Sequence, residues 1–327
     1  MSLTMVQCTD KTRWDEFVRN SLQGSIFCQT AFLDALGVDY DTWLIEDKGK
    51  AQLGTVILRK GAEILPAPHA FTMYQGLMFS NYVNARPLHT RTALILKLTE
   101  EFLANLSQHY YRLSFCLHPS HDDVRGIQWF NYHEPDKGQF RFELQYTGLL
   151  DLNQFDDLEG YLPNIRTTRR YEYRKALRGG MKVESSDDID TLLEIHRLTF
   201  ERSGLDQTDE IATLLKNITS AALNKQFGEM LMCRDPSGEI VSATLFIFDG
   251  RCAYYLIGAN HPAQRNSNGN TLLFIENILL SKNRGLRWVD TCGINSPYRG
   301  DFKTSFNAAP ALYFVVTWER PRTAAGG

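Results

Sequence analysis

The stretch "NGNTLLFIENILLSKNRGLRWVDTCG", Asn268 to Gly293, lays out one structural unit in a single line. Leu272, Ile275, Leu279 and Leu280 recur at helical spacing, and Gly285 marks where that helix stops. A strand-like run, "LRWVD", follows and leads through Asp290 to Gly293. The first half of the chain repeats this order without repeating the residues. "TALILKLTEEFLANLSQHYYRLSFCL", Thr92 to Leu117, is again an apolar-striped helix running into a strand. Ahead of each lies an alternating hairpin: "YDTWLIEDKGKAQLGTVILRKG" around a D-K-G-K turn, and "GEMLMCRDPSGEIVSATLFIFDGR" around D-P-S-G. Each half closes on a further strand run, "RFELQYTGLLDL" and "ALYFVVTW".

Helices set between strands predict an α/β chain, its mixed sheets covered by helices, built as two modules of one architecture. The 327 residues suit two domains of roughly 150 each. The boundary is expected where "LDLNQFDDLEG" changes from strand pattern to acidic helix start, giving modules over 1–152 and 153–327.

With 43% apolar and 22% charged residues the composition is that of an ordinary globular protein. A net charge of −3 gives no global attraction to nucleic acid or anionic membrane, so a phosphate-bearing partner has to meet a local patch. The six cysteines are scattered without a C-x-x-C pair, which argues against a disulfide framework and against a cysteine zinc site. "HPSHDD", His118 to Asp123, invites a metal reading, but no further histidine or cysteine cluster completes it, and no metal is expected. The N-terminus lacks a basic-then-apolar layout and no run of 18 apolar residues occurs, so the expected location is the cytoplasm.

The densest positive charge lies just past the midpoint, in "NIRTTRRYEYRKALRGGMK". Arg166, Arg170, Arg174 and Arg178 stand four apart and share one stripe on a helix, which Arg169 and Lys175 widen. Such a stripe is a landing site for pyrophosphate or a nucleic-acid backbone, or else a solvated face paired with acids such as Asp156 and Asp187. Further on, "GANHPAQRNSNGNTLLF" sets a polar loop before a helix start, where backbone N–H groups and the helix dipole favour an anion. Asn268 or Asn270 can equally serve there as a simple cap.

Finally, "DFKTSF" places Lys303 between Phe302 and Phe306, one charge in a segment otherwise built to pack. Taken with the basic helix and the loop-plus-helix segment, it resembles the FemAB-like branch of the GNAT acyltransferase superfamily. In that branch a strand ending in Asp and Gly leads through a loop to F-K-x-x-F-G. Asp290, Gly293, Phe302, Lys303 and Phe306 fall in step, with Asn307 in place of the glycine. "GSIFCQTAFLDAL" is similar to the family's opening helix. The superfamily's R/Q-x-x-G-x-G/A loop finds its register at Gln264, Arg265, Asn266, Ser267, Asn268 and Gly269, with Ser267 in place of the first glycine.

The resemblance implies tandem GNAT-like modules that move an acyl or aminoacyl group onto an amine of a cell-envelope precursor or polysaccharide. The donor it implies is acyl-CoA or aminoacyl-tRNA, and the acceptor a nucleotide-linked or amine-bearing envelope precursor. An acyl-CoA-dependent small-molecule N-acetyltransferase and an inactive ligand-binding relative are the alternatives. By the same resemblance Lys303 stabilises the oxyanion formed when an amine attacks the acyl carbonyl, or grips a substrate phosphate or carboxylate, with Asp290 and either Tyr254 or Tyr255 as proton-handling or substrate-contact groups. Substrate contacts then fall to Phe302, Phe306, Gly293, Tyr74, Gln75, Arg170 and Arg174, and donor contacts to residues 264–269 with Asn270. No nucleophile motif is present, and direct transfer needs none.

Overall fold

The computed structural model describes residues 2–202 and 207–321. The chain divides into two units, one of Met1–Gln145 with Leu312–Gly327, the other of Tyr146–Ala311.

In the first unit, strands β1 (Leu3–Gln7), β2 (Asp39–Asp47), β3 (Lys50–Lys60) and β4 (Glu63–Ile64) lie in sheet order, with β5 (Met78–Phe79) also on β3. The D-K-G-K turn is a tight hairpin because Lys48 and Gly49 both take positive φ, +51° and +76°, which matches the twist of the flanking strands. Helix α1 (Lys11–Arg19) starts where the Asp10 carboxylate accepts from the Thr12 and Arg13 N–H groups. The long helix α2 (Leu88–His109) buries Leu98, Phe102, Leu103 and Leu106 against Leu53, Ile57 and the strand β6 (Arg112–Cys116). Strand β7 (Arg141–Asp151) crosses from the first unit to the second.

The second unit begins with the basic helix α3 (Thr167–Arg178) and strand β8 (Lys182–Ser185), followed by helices α4 (Ile189–Arg202) and α5 (Asp209–Asn224). Strands β9 (Gly228–Arg234), β10 (Ile240–Phe248) and β11 (Cys252–Asn260) form an antiparallel meander. Helix α6 (Gly269–Asn283) then carries the chain over to β12 (Trp288–Asp290), which pairs parallel with β11. A parallel pair requires such a crossover. The sheet order is β7-β12-β11-β10-β9-β8. Helix α7 (Pro297–Thr304) precedes the last strand, β13 (Ala309–Glu319), whose end pairs with β6 in the first unit. The mixed sheets and covering helices are those of an α/β chain.

Helix α6 is buried on more than the face its leucines mark. Thr271, Phe274, Asn277 and Ser281 are buried as well. Asn277 survives there because its amide donates to the Thr244 hydroxyl at 2.9 Å and to the Leu273 carbonyl at 2.8 Å.

Candidate active site

Strand β12 stops at Asp290, opposite Tyr254, while β11 runs on to Asn260. From Tyr255 onward the β12 edge of β11 therefore has no partner strand from β12, and the sheet opens into a notch. A β-bulge shifts the β10–β11 register at the same place: Leu245 faces Ile257 but Phe246 faces Tyr255. The extra residue is Leu256, and the two tyrosines before it point to opposite faces of the strand by ordinary alternation. Tyr254 is buried and its hydroxyl donates to Asp249 at 2.9 Å, so it is committed to the core. Burial and the Asp249 carboxylate push its phenol far above the usual range. Tyr255 lies on the notch. A side-chain carbon at Gly258 would fall 1.6 Å from the Tyr255 hydroxyl, so the absence of one leaves room for the ring.

Lys303 sits on α7 above that ring, its Nζ 5.5 Å from the Tyr255 centroid. Nζ donates to the Gly293 carbonyl at 2.8 Å, with the Cys292 carbonyl at 3.4 Å. Burial holds its pKa below the ordinary lysine value; Cys292 and Asp290 act against that shift and Arg299 with it. An ammonium has three donors, so one remains for an incoming oxygen. The flanking phenylalanines anchor the helix end. Phe306 is fully buried, 4.4 Å from Phe274 and 5.0 Å from Phe302 between ring centroids, and its carbonyl accepts from the Tyr161 hydroxyl at 2.8 Å. Asn307 takes φ +68°, the left-handed backbone for which glycine is the usual residue.

Asp290 lies beneath this loop, 1% exposed. Its Oδ1 accepts from the Thr147 hydroxyl at 2.5 Å and from the Cys292 N–H at 2.7 Å. Burial first, then the Asp290 charge, raises the neighbouring Cys292 thiol well above the usual range, with Lys303 opposing. Beside the loop an open groove of about 550 Å³ runs past Tyr146, Asn295, Ser296 and Asp301.

The arginines of α3 separate into two sets. Arg166 stands at the N-cap position without capping the helix through its side chain, which pairs with Asp301 at 2.7 Å, not with Asp156 or Asp187. Arg169 turns inward over the Phe302 ring at 4.6 Å, donating to Ser305 at 2.8 Å and to Glu172 at 2.5 Å. Glu172 in turn accepts from the Thr271 hydroxyl at 2.7 Å, which ties α3 to the start of α6. Arg170, Arg174 and Arg178 face outward along an open groove of about 690 Å³ with the exposed Tyr171 and Leu177. Among the described residues these three guanidinium groups form no ion pair within 4.0 Å.

The loop from Gln264 to Ser267 forms a 3-10 turn, and Asn268 reaches α6 with φ +62°. The side chain of Arg265 lies outside the described residues. Ser267 uses its hydroxyl to accept the Gly269 N–H at 3.2 Å, and Asn270 accepts from Tyr255 at 3.4 Å. Gly269 is fixed by packing: a side-chain carbon there would stand 2.6 Å from Ser242 Oγ and 2.8 Å from Val241. Gly269→Val is expected to destabilise the fold by about 1–3 kcal/mol through overpacking, read as a lower urea midpoint at unchanged slope.

In the first unit, Tyr74 and Gln75 are buried, 1% and 2% exposed. Tyr74 packs edge-on to Tyr313 and His118, and Gln75 donates to the Phe27 carbonyl at 3.1 Å. His118 bonds Ser120 at 2.8 Å and His121 bonds the Leu77 carbonyl at 2.7 Å. Among the described residues no helix is long and apolar enough to cross a membrane, and no group of three or more acidic, histidine or cysteine residues could hold a metal.

Residues 163–300 match the acetyltransferase (GNAT) domain family. No curated protein matches the chain. Among solved structures, FemX superposes with a TM-score of 0.70 at 15% identity, covering 95% of this chain and 96% of its own. A tandem GNAT protein from the clavulanic acid biosynthesis pathway gives 0.52 at 13%, covering 98% and 100%. L-PGS from Bacillus licheniformis gives 0.54 at 14%, covering 96% and 93%. Residues 163–300 therefore match a GNAT acetyltransferase domain, and the chain as a whole shares the fold of FemX and of a tandem GNAT protein.

Proposed function

We propose that the second unit transfers an acyl or aminoacyl group from a thioester or ester onto an amine, the acceptor being a cell-envelope precursor or polysaccharide building block. The observation that carries this reading is Lys303 at the notch between β11 and β12, two of its donors on carbonyls and one left over. As the amine nitrogen attacks the acyl carbon, negative charge develops on the carbonyl oxygen, and the remaining ammonium donor stabilises it. The bond to the thiol or hydroxyl of the donor then breaks, and the amine's proton leaves with that group or with water. Phe302, Phe306 and Gly293 hold the lysine in place. The outward arginines, Arg170 and Arg174 among them, offer phosphates of donor or acceptor a cationic surface in a chain of net charge −3.

The start of α6 fits a donor pyrophosphate through its first-turn backbone N–H groups and dipole. Ser267 already serves one of those groups, and the remainder, with Asn270, would hold the anion. CoA, when bound, supplies the acyl thioester. This loop and the matched GNAT domain favour acyl-CoA, whereas the arginine face suits aminoacyl-tRNA equally. Thermal unfolding with acetyl-CoA and longer acyl-CoAs separates the two. At about 100 times Kd a true ligand adds about 2.7 kcal/mol. A rise in Tm of a few degrees, lost when charge is placed at the helix start in Asn270→Asp, supports CoA. No rise at millimolar concentration rejects it, leaving aminoacyl-tRNA as the donor to test. Reversing charge in the double variant Arg170→Glu, Arg174→Glu is expected to weaken binding of inorganic pyrophosphate roughly ten-fold or more; unchanged affinity would remove these arginines from the site.

A further inference from the structure

Lys303 is aimed by a loop whose backbone is itself held under strain. Cys292 takes φ +54° and Gly293 φ +92°, and their carbonyls are the two that Nζ meets. A left-handed cysteine persists only where its surroundings over-determine it. The Thr147 hydroxyl donates to Asp290 Oδ1 at 2.5 Å and accepts the Gly293 N–H at 3.1 Å, while the same Oδ1 accepts the Cys292 N–H at 2.7 Å. Strand β7 adds a second strap. Thr291 N–H donates to the Gly148 carbonyl at 3.0 Å, Gly148 N–H to Thr291 Oγ1 at 3.2 Å, and Ile294 N–H to the Tyr146 carbonyl at 2.9 Å. Thr147 and Thr291 are fully buried.

We propose that Thr147 is a positioning residue for Lys303: with Asp290 it clamps residues 290–294 so that the carbonyls of the strained Cys292 and of Gly293 converge on the ammonium. Asp290 on this account holds the loop through its Oδ1 rather than accepting a proton from substrate. The inference deepens the Lys303 reading above and rests on it for its functional meaning, but its geometry can be tested without any substrate.

The test is trace labelling of Lys303 with isotopic acetic anhydride across a pH series, read by mass spectrometry, together with amide exchange at Cys292 and Gly293. Thr147→Val keeps the shape and removes the hydroxyl. Exchange at both amides is expected to speed up on the order of ten-fold. The labelling rate of the deprotonated lysine should rise, and its titration midpoint should move up toward ordinary lysine as the side chain reaches water. The groups facing Lys303 that set this midpoint are Asp290, Cys292 and Arg299, with the Tyr255 ring. Thr147→Ser should restore all three readings. Adding Cys292→Gly to Thr147→Val should restore them in part, because glycine adopts that backbone without strain.

Wild-type labelling and exchange in Thr147→Val would overturn the clamp. Should Thr147→Val not fold, Thr147→Ala answers the same question: it also removes the hydroxyl that meets Asp290 and the Gly293 N–H, so faster exchange at Gly293 supports the clamp, and unchanged exchange overturns it. The outcomes also separate this inference from the catalytic reading. Intact acetyl-CoA turnover in Lys303→Ala would remove the lysine's catalytic role while leaving the clamp standing. An inactive Lys303→Ala alongside an unperturbed Thr147→Val would sink the clamp alone.

Discussion

Lys303→Ala is expected to lower the rate of acyl transfer on the order of 10²–10³-fold, the usual cost of removing one oxyanion donor. Folding should be undisturbed or slightly improved, because the lysine carries a burial cost that alanine does not. Lys303→Arg should not rescue, since a planar fork cannot replace a compact ammonium between two carbonyls. The pH dependence has a definite sign. Burial places the folded pKa below the ordinary lysine value, so the ammonium is lost, and the rate falls, as pH rises through that lowered value. Arg299→Ala should move this alkaline limb upward. A rate that instead climbs through the limb would make the neutral amine a base and refute the oxyanion role. The same shift bears on stability. The unfolded chain binds this proton more tightly, so the penalty from Lys303 is present below the folded pKa and fades as pH rises toward the unfolded value.

Phe306→Ala should be the most damaging change to the fold of the second unit, about 3–5 kcal/mol. The ring is fully buried between Phe274 and Phe302, with the Arg169 guanidinium 5.7 Å from its centroid. Truncation would leave a cavity at the junction of α3, α6 and α7, where little can collapse without moving the lysine. Phe302, only half-buried, should cost less. Guanidinium unfolding of both variants checks this, and a loss under about 1.5 kcal/mol at Phe306 would mean the site relaxes freely around it.

The two hairpins and α6 are legible in the sequence because they are fixed locally, by turn residues that accept positive φ and by apolar spacing. The phenylalanines of "DFKTSF" are legible as packing for the same reason. Other features depend on partners far along the chain. The four-residue arginine spacing is plain, but the diversion of Arg166 depends on Asp301, 135 positions away. Asp290 follows the family pattern, but nothing near it names Thr147, which lies 143 positions earlier on β7. Alternation sets Tyr254 and Tyr255 on opposite faces of β11, but which face meets Lys303 depends on α7, some fifty positions further on. Thr147 and Arg299 are therefore additions from the structure.

The most direct test of the central claim, that the acyl carbonyl meets Lys303, is protection of that lysine from trace acetic-anhydride labelling by candidate donors. Either acetyl-CoA or an aminoacyl-tRNA is expected to slow labelling of Lys303 several-fold while leaving other lysines unchanged. Labelling of Lys303 at the same rate with saturating amounts of each would contradict that claim.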